Sequence, residues 1–332
     1  MSAERPGEFE LIRQYFAPLA NAPGSLKLTD DAAVMSPRAG FDLVLTKDVL
    51  AENVHFLSED SPEAIAAKAL RVNLSDLAAK GARPVGYLLG LALPTDWQAN
   101  WLERFSNGLA ADQAAFDVTL YGGDTIRSSN GVQISITAIG EVPSGAAVRR
   151  NGAKAGEHLY VTGTIGDAAA GLKARLEHRF VRVFQLDEAE ERHILQRYLL
   201  PRPRVQLAPL LVEHANAAMD ISDGLLADAA HMAAASNVDL QIDAKCVPLS
   251  AAMEKLKTRS ADTFLECLNG GDDYEILCSV APGQSEAFER QAQAIGCPVT
   301  KIGAVVSGTG QVALQNTPTG HSAGALAGFS HF

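Results

Sequence analysis

Basic residues are scarce: 28 Lys and Arg stand against 39 Asp and Glu in 332 residues, a net charge of −11. A surplus of carboxylates repels a polyphosphate backbone, and no local basic patch reverses that field, so broad nucleic-acid binding is not expected. Cysteine is nearly absent. The four present, Cys246, Cys267, Cys278 and Cys297, include no C-x-x-C pair and have no nearby His at zinc spacing, which makes them core thiols rather than a zinc site. There is no stretch of roughly 20 apolar residues, and the opening MSAERPGEFELIRQYFAPLA lacks a basic start followed by an apolar core. No membrane span or signal peptide is therefore expected, and the expected location is the cytoplasm. Also missing are G-x-x-x-x-G-K-[ST] and the protein-kinase motif set.

What remains is a globular composition, 47% hydrophobic and 20% charged, in a chain long enough for two domains. Turn residues cluster at Pro143-Ser144-Gly145, which places the junction between residues 1–143 and 144–332. Helix punctuation is clear from Ser61 to Gly81, with Ser61 as N-cap, Pro62 at the first helical position and Gly81 at the stop. A second helix is expected over about 96–116. Strands are expected at Phe41–Thr46, ending at Lys47-Asp48, and at Val118–Tyr121, whose end carries Gly122-Gly123-Asp124. In the second half the pattern predicts strands at Leu159–Thr162, Asp239–Ile242 and Ile276–Val280, and helices at Ala168–Glu177, Asp187–Tyr198, Val205–Ala217 and Leu225–Ala235.

Acidic residues occupy unusual positions. Asp76 falls on the stripe Ile65, Ala69, Val72, Asp76, Ala79, whose 4, 3, 4, 3 spacing puts it on an apolar helix face. A carboxylate there needs a partner or a cation. Asp30-Asp31 precedes a small apolar run, Asp48 and Asp124 end expected strands, and Asp220 and Asp223 flank Ser222 where a strand becomes a helix. Each has a local reading as a turn residue or cap. Their repetition with few basic partners suggests carboxylates converging on hard divalent cations, and oxygen-only ligation favours magnesium. Magnesium points to phosphates. The turn Gly163-Thr-Ile-Gly166 is either an anion cradle or a tight connection, and Arg149-Arg150 either a phosphate fork or a solvated pair.

The ordered segments GEFELI at Gly7, DDAAV at Asp30, TKDVLAENVHF at Thr46, KALRVNLSDLAAKGARP at Lys68, YGGDTIRS at Tyr121, RNGAKAGE at Arg150, VTGTIGDAAAGL at Val161, PRPRV at Pro201, DISDGLLAD at Asp220, GGDDYEIL at Gly270 and GFSHF at Gly328 resemble the thiamine-monophosphate kinase family. That family belongs to the superfamily of aminoimidazole ribonucleotide synthetase. The resemblance implies two mixed α+β domains, with the N-terminal sheets of a homodimer closing into a barrel. It implies ATP-dependent phosphorylation of thiamine monophosphate, with magnesium at Asp31, Thr46, Asp48, Asp76, Asp124, Asp220 and Asp223. ATP contacts match Gly123, Asp124, Arg150 and Ser222, and substrate contacts match His55, Asp272 and Phe329. Thr29, Lys47 and Asp272 depart from the family's usual residues. Two alternatives stand beside this: a ring-closing ATP-dependent ligase like aminoimidazole ribonucleotide synthetase, and a non-catalytic magnesium-nucleotide sensor.

Overall fold

The computed structural model describes residues 7–317. The chain divides into two compact units, one running through Gly145 but without Ala78–Gly81, the other holding Ala78–Gly81 and everything from Ala146. Phe329 and the GFSHF ending lie outside the described residues.

The first unit contains β1 (Phe41–Ala51), β2 (Arg83–Pro94), β3 (Thr119–Ser128) and β4 (Gln133–Pro143), with helices α1 (Glu8–Leu11), α2 (Pro62–Ala79) and α3 (Ala99–Phe116). Its sheet has the order β1-β4-β2-β3, antiparallel except for the parallel β2–β3 pair. Ser61 caps α2 by accepting from the Ala64 amide at 3.2 Å. Two bidentate pairs clamp α2 to α3: Arg104 donates to Glu63 at 2.7 and 2.8 Å, and Arg71 to Asp112 at 2.8 and 2.7 Å. Because both partners advance by eight residues, the helices run side by side in the same direction. Gly108 makes their approach close, since a Cβ there would meet the Glu63 backbone at 2.8 Å.

Two expected strand ends are overturned. β1 runs on through Lys47 and Asp48, and β3 runs on through Gly122-Gly123-Asp124. Asp and Gly have low strand propensity, but ladder pairing on the neighbouring strand outweighs it. Gly123 is needed inside the strand because a Cβ would sit 2.0 Å from the Leu89 carbonyl oxygen. The ladder also shifts there: Tyr87 pairs with Leu120 and Leu88 with Gly122, so Tyr121 is an extra, bulged residue.

The second unit contains β5 (His158–Thr162), β6 (Ala215–Asp220), β7 (Val238–Asp243), β8 (Ile276–Val280), β9 (Val299–Ser307) and β10 (Val312–Gln315). They form one sheet in the order β10-β7-β9-β5-β8-β6. Its helices are α4 (Asp167–Leu176), α5 (Phe180–Phe184), α6 (Glu188–Leu199), α7 (Ala208–His214), α8 (Leu225–Ser236), α9 (Ala251–Arg259), α10 (Ala261–Leu268) and α11 (Pro282–Ala294). Buried apolar residues form two clusters, one including Leu159, Val161, Leu240 and Leu277, the other Tyr160, Ile276, Cys278 and Phe288. Where a helix over 205–217 was expected, α7 stops at His214 and Ala215–Asp220 is a strand. Alanine-rich sequence favours helix, but pairing of Ala215–Asp220 with β8 decides the matter. Among the described residues no helix is long and apolar enough to cross a membrane.

Candidate active site

Three groupings of the expected residues emerge. In the first unit, Asp76 on α2 accepts a short hydrogen bond from the Thr46 hydroxyl on β1, and Asp48 stands two residues along the same strand. The buried Asn73, one turn before Asp76, accepts from the Asp48 amide at 3.1 Å and donates to the Ala69 carbonyl at 3.0 Å. It thereby fixes the strand at Asp48. Burial, reinforced by the charge on Asp76, pushes the Asp48 carboxyl up to about 6. The apolar stripe around Asp76 is therefore interrupted by a hydroxyl and a second carboxylate, and among the described residues no salt bridge reaches either carboxylate.

The second grouping is a hollow of about 460 Å³ whose walls include Asp30, Asp31, Arg13, Lys27, Tyr121, Gly123 and Asp124. It brings Asp31 together with Gly123 and Asp124. Register divides the acidic set of this unit. Asp48 shares a row with Ile136, Leu89 and Gly123, whereas Asp124 shares the next row with Gly90, Ser135 and Val49. Adjacent rows face opposite ways. Ile136 and Leu89 are buried and Val49 is exposed, so Asp48 lies on the covered face and Asp124 on the open one. The bulge at Tyr121 is what turns Asp124 outward, since unbroken alternation from the buried Leu120 would face it inward.

In the third grouping, within the second unit, Asp220 ends β6 and the turn Ile221-Ser222-Asp223-Gly224 leads into α8. Asp228, one turn into that helix, accepts from the amides of both Ser222 and Asp223 at 2.9 Å. Burial pushes its carboxyl up to about 7, although the Asp223 amide pulls the other way. The segment carrying Asp272 is stitched to this turn: the Asp272 amide donates to Ser222 O and the Tyr274 amide to Ile221 O, each at 2.8 Å. Arg150 is exposed on a segment beside β6, where the Ala218 amide donates to Arg149 O at 3.3 Å. His55 lies in the first unit, in the turn after β1, where its Nδ1 accepts from the Ala51 amide at 3.0 Å. That bond leaves the proton of the neutral ring on Nε2.

Among the described residues no three His, Cys, Asp or Glu side chains form a ready-made metal cage. Sequence reasoning did not single out Asn73, Asp228, Glu275, Arg197 or Arg204, and it raised Asp273 only as a rival to Asp272 for the substrate contact, whereas the Asp273 side chain is buried. The signal for Asn73 was present as helical spacing, three residues before Asp76, whereas Asp228 meets Ser222 and Asp223 through a turn that no periodicity reveals. The Gly163–Gly166 turn resolves toward the tight connection. Its Gly166 amide already donates to the Asp273 carboxyl at 2.8 Å, and a Cβ on Gly163 would strike Glu275 Oε1 at 2.2 Å.

Two mixed units with acidic residues gathered on one helix-strand contact and at one strand-to-helix turn define a class. Residues 29–142 match the family described as AIR synthase related protein, N-terminal domain, and residues 154–315 match its C-terminal domain. The thiamine-monophosphate kinase of Caulobacter vibrioides is 42% identical over 313 residues, 93% of this chain and 87% of that one. A crystal structure of thiamine-monophosphate kinase from Stenotrophomonas maltophilia superposes with a TM-score of 0.79 at 40% identity, covering 86% of this chain and 89% of its own. AaThiL complexed with AMPPCP and TMP gives a TM-score of 0.77 at 32% identity, with 100% of both chains covered. The chain belongs to the thiamine-monophosphate kinase family.

Proposed function

We infer that this chain transfers the γ-phosphoryl group of ATP to thiamine monophosphate, giving thiamine diphosphate and ADP. Family membership carries the reading, and the complex of AaThiL with an ATP analogue and TMP supports the substrate pair. On this reading magnesium is held by Asp31, Thr46, Asp48, Asp76, Asp124, Asp220 and Asp223. The chemistry of the Thr46, Asp48 and Asp76 donors fits: it is all oxygen and doubly acidic. When bound, the metal neutralises phosphate charge so that two anions can meet. Gly123, Asp124, Arg150 and Ser222 hold the nucleotide, and His55, Asp272 and Phe329 hold the acceptor.

No residue is needed as general base. The attacking group is a phosphate monoester oxygen whose second pKa is about 6, so it is already deprotonated near neutrality. Residues 1–143 supply nucleotide and magnesium binding and dimerisation, and residues 144–332 complete the site, in a cytoplasmic homodimer. Support for a second copy comes from the open face of the first sheet, where Leu45 (63% exposed), Val49 (51%) and Ile126 (58%) lie with Leu43 and Leu88. Covering the exposed part of these side chains would favour pairing of two such sheets.

The test is direct: purified protein, magnesium, ATP and thiamine monophosphate should yield thiamine diphosphate. ATP binding without turnover would instead indicate a sensor, and aminoimidazole ribonucleotide formed from its own precursor a ligase. Free thiamine, which offers a neutral alcohol, should react far more slowly than its monophosphate. Comparable rates would reject a phosphate oxygen as the steered acceptor.

A further inference from the structure

The segment Gly270–Glu275 has an alternating plan. Gly271, Asp272 and Tyr274 have φ of +78°, +65° and +50°, a left-handed conformation that non-glycine residues adopt only when their surroundings impose it. Asp272 and Tyr274 are partly exposed, whereas Asp273 and Glu275 have no exposed surface. What imposes the conformation lies on the buried side. Glu275 receives Arg204 through two bonds, at 2.6 and 2.5 Å, together with Arg197 at 2.7 Å and the Thr162 hydroxyl at 2.5 Å. Arg197 also donates to the Asp273 carbonyl at 2.8 Å, and Asp273 takes the Gly166 amide through its side chain. The Gly166 amide of the Gly163–Gly166 turn is thus taken by the protein's own carboxyl.

We propose that Asp273 and Glu275, clamped by Arg197, Arg204 and the Gly166 amide, are positioning residues that hold Asp272 in place for the acceptor substrate. Two anchors then serve two ligands. Asp228 holds the Ser222-Asp223 turn from inside α8, and the arginine clamp holds the Asp272 segment from the other side. Backbone hydrogen bonds from Asp272, Tyr274 and Ile221 join the two. Loosening the clamp should misplace Asp272 while the Asp228 anchor keeps the turn in register. This rests on the reading that Asp272 touches the acceptor and that the turn serves magnesium and ATP.

The experiment compares Glu275→Gln, Asp273→Asn and Arg204→Lys with Asp228→Asn in the full-length protein, measuring KM for each substrate and melting temperature. The clamp variants should raise KM for thiamine monophosphate about tenfold while KM for ATP stays within about twofold, and Asp228→Asn should do the reverse. Arg204→Lys keeps a charge at the clamp and remains informative if Glu275→Gln does not fold. Equal changes in both KM values, or a loss of turnover that only follows the folded fraction, would overturn the positioning role. A wild-type protein that makes no thiamine diphosphate would reject the functional reading beneath it, a result distinct from active but unselective variants.

Discussion

Both units put carboxylates where water is largely excluded, and they solve the resulting charge problem in opposite ways. In the second unit Glu275 is surrounded by Arg197 and Arg204, and Asp273 by an amide and the same Arg197, although burial still pushes Asp273 well above the usual carboxylate range. In the first unit Asp48 and Asp76 repel one another, the Thr46 hydroxyl bonds to Asp76 and the Asn73 side chain to the Asp48 amide, and among the described residues no salt bridge reaches either carboxylate. Internal neutralisation marks a carboxylate that serves the fold. An acidic pair without such a partner costs stability in the empty fold, which a bound cation would relieve.

The sharpest way to break this contrast is Glu275→Ala. It leaves Arg197 buried without its counter-charge, so the expected loss is about 3–5 kcal/mol, a fall in melting temperature of roughly 6–20 °C. A drop below about 1 kcal/mol would show that the arginines do not depend on it. Next comes Asp76→Asn, which should lower turnover by about 100-fold or more, as removal of a charge-stabilising group does. In chelator its melting temperature should equal or exceed that of the wild type, because repulsion of Asp48 is relieved. If the melting temperature falls while the folded fraction keeps its specific activity, Asp76 is a structural partner after all.

The smallest effect is a pH dependence. Because folding raises the Asp48 carboxyl from about 3.8 to about 6, the native state binds more protons than the unfolded state between those values. Stability of the metal-free protein therefore falls as pH rises through that window. Asp48→Asn removes this slope, so its advantage over wild type should be absent near pH 4, grow to about 1–2 kcal/mol by pH 7 after allowance for solvent screening, and then level off. Thermal melts in chelator across pH 4–8 would measure it, and parallel curves for the two proteins would contradict the raised Asp48 carboxyl.

Helices with explicit punctuation were legible from sequence: the cap at Ser61 and the run into Gly81 match α2, and the capping box of Asp187 and Glu190 opens α6. Strands interrupted by polar or small residues were not, because Lys47-Asp48 and Gly122-Gly123 look like stops until a neighbouring ladder holds them extended. The same limit governs the site. Asp76 stood out because its stripe is local, whereas the partners of Glu275 lie 78 and 71 residues away in sequence, at a distance no local pattern reveals. The face chosen by Asp124 was equally hidden, since one bulged residue reverses the alternation that would have predicted it.

The open sheet face has a kinetic consequence. Exposed Leu45, Val49 and Ile126 share that face with Asp124, so whatever covers it also stands over a candidate ligand. With a second copy as the cover, the rate is not first order in protein. Below the dissociation constant, paired chains scale with the square of total concentration, so dilution extinguishes specific activity faster than it removes enzyme. Stopped or rescued turnover on dilution and reconcentration then becomes a property of the sheet, written in its leucines and valine rather than in the residues that touch phosphate.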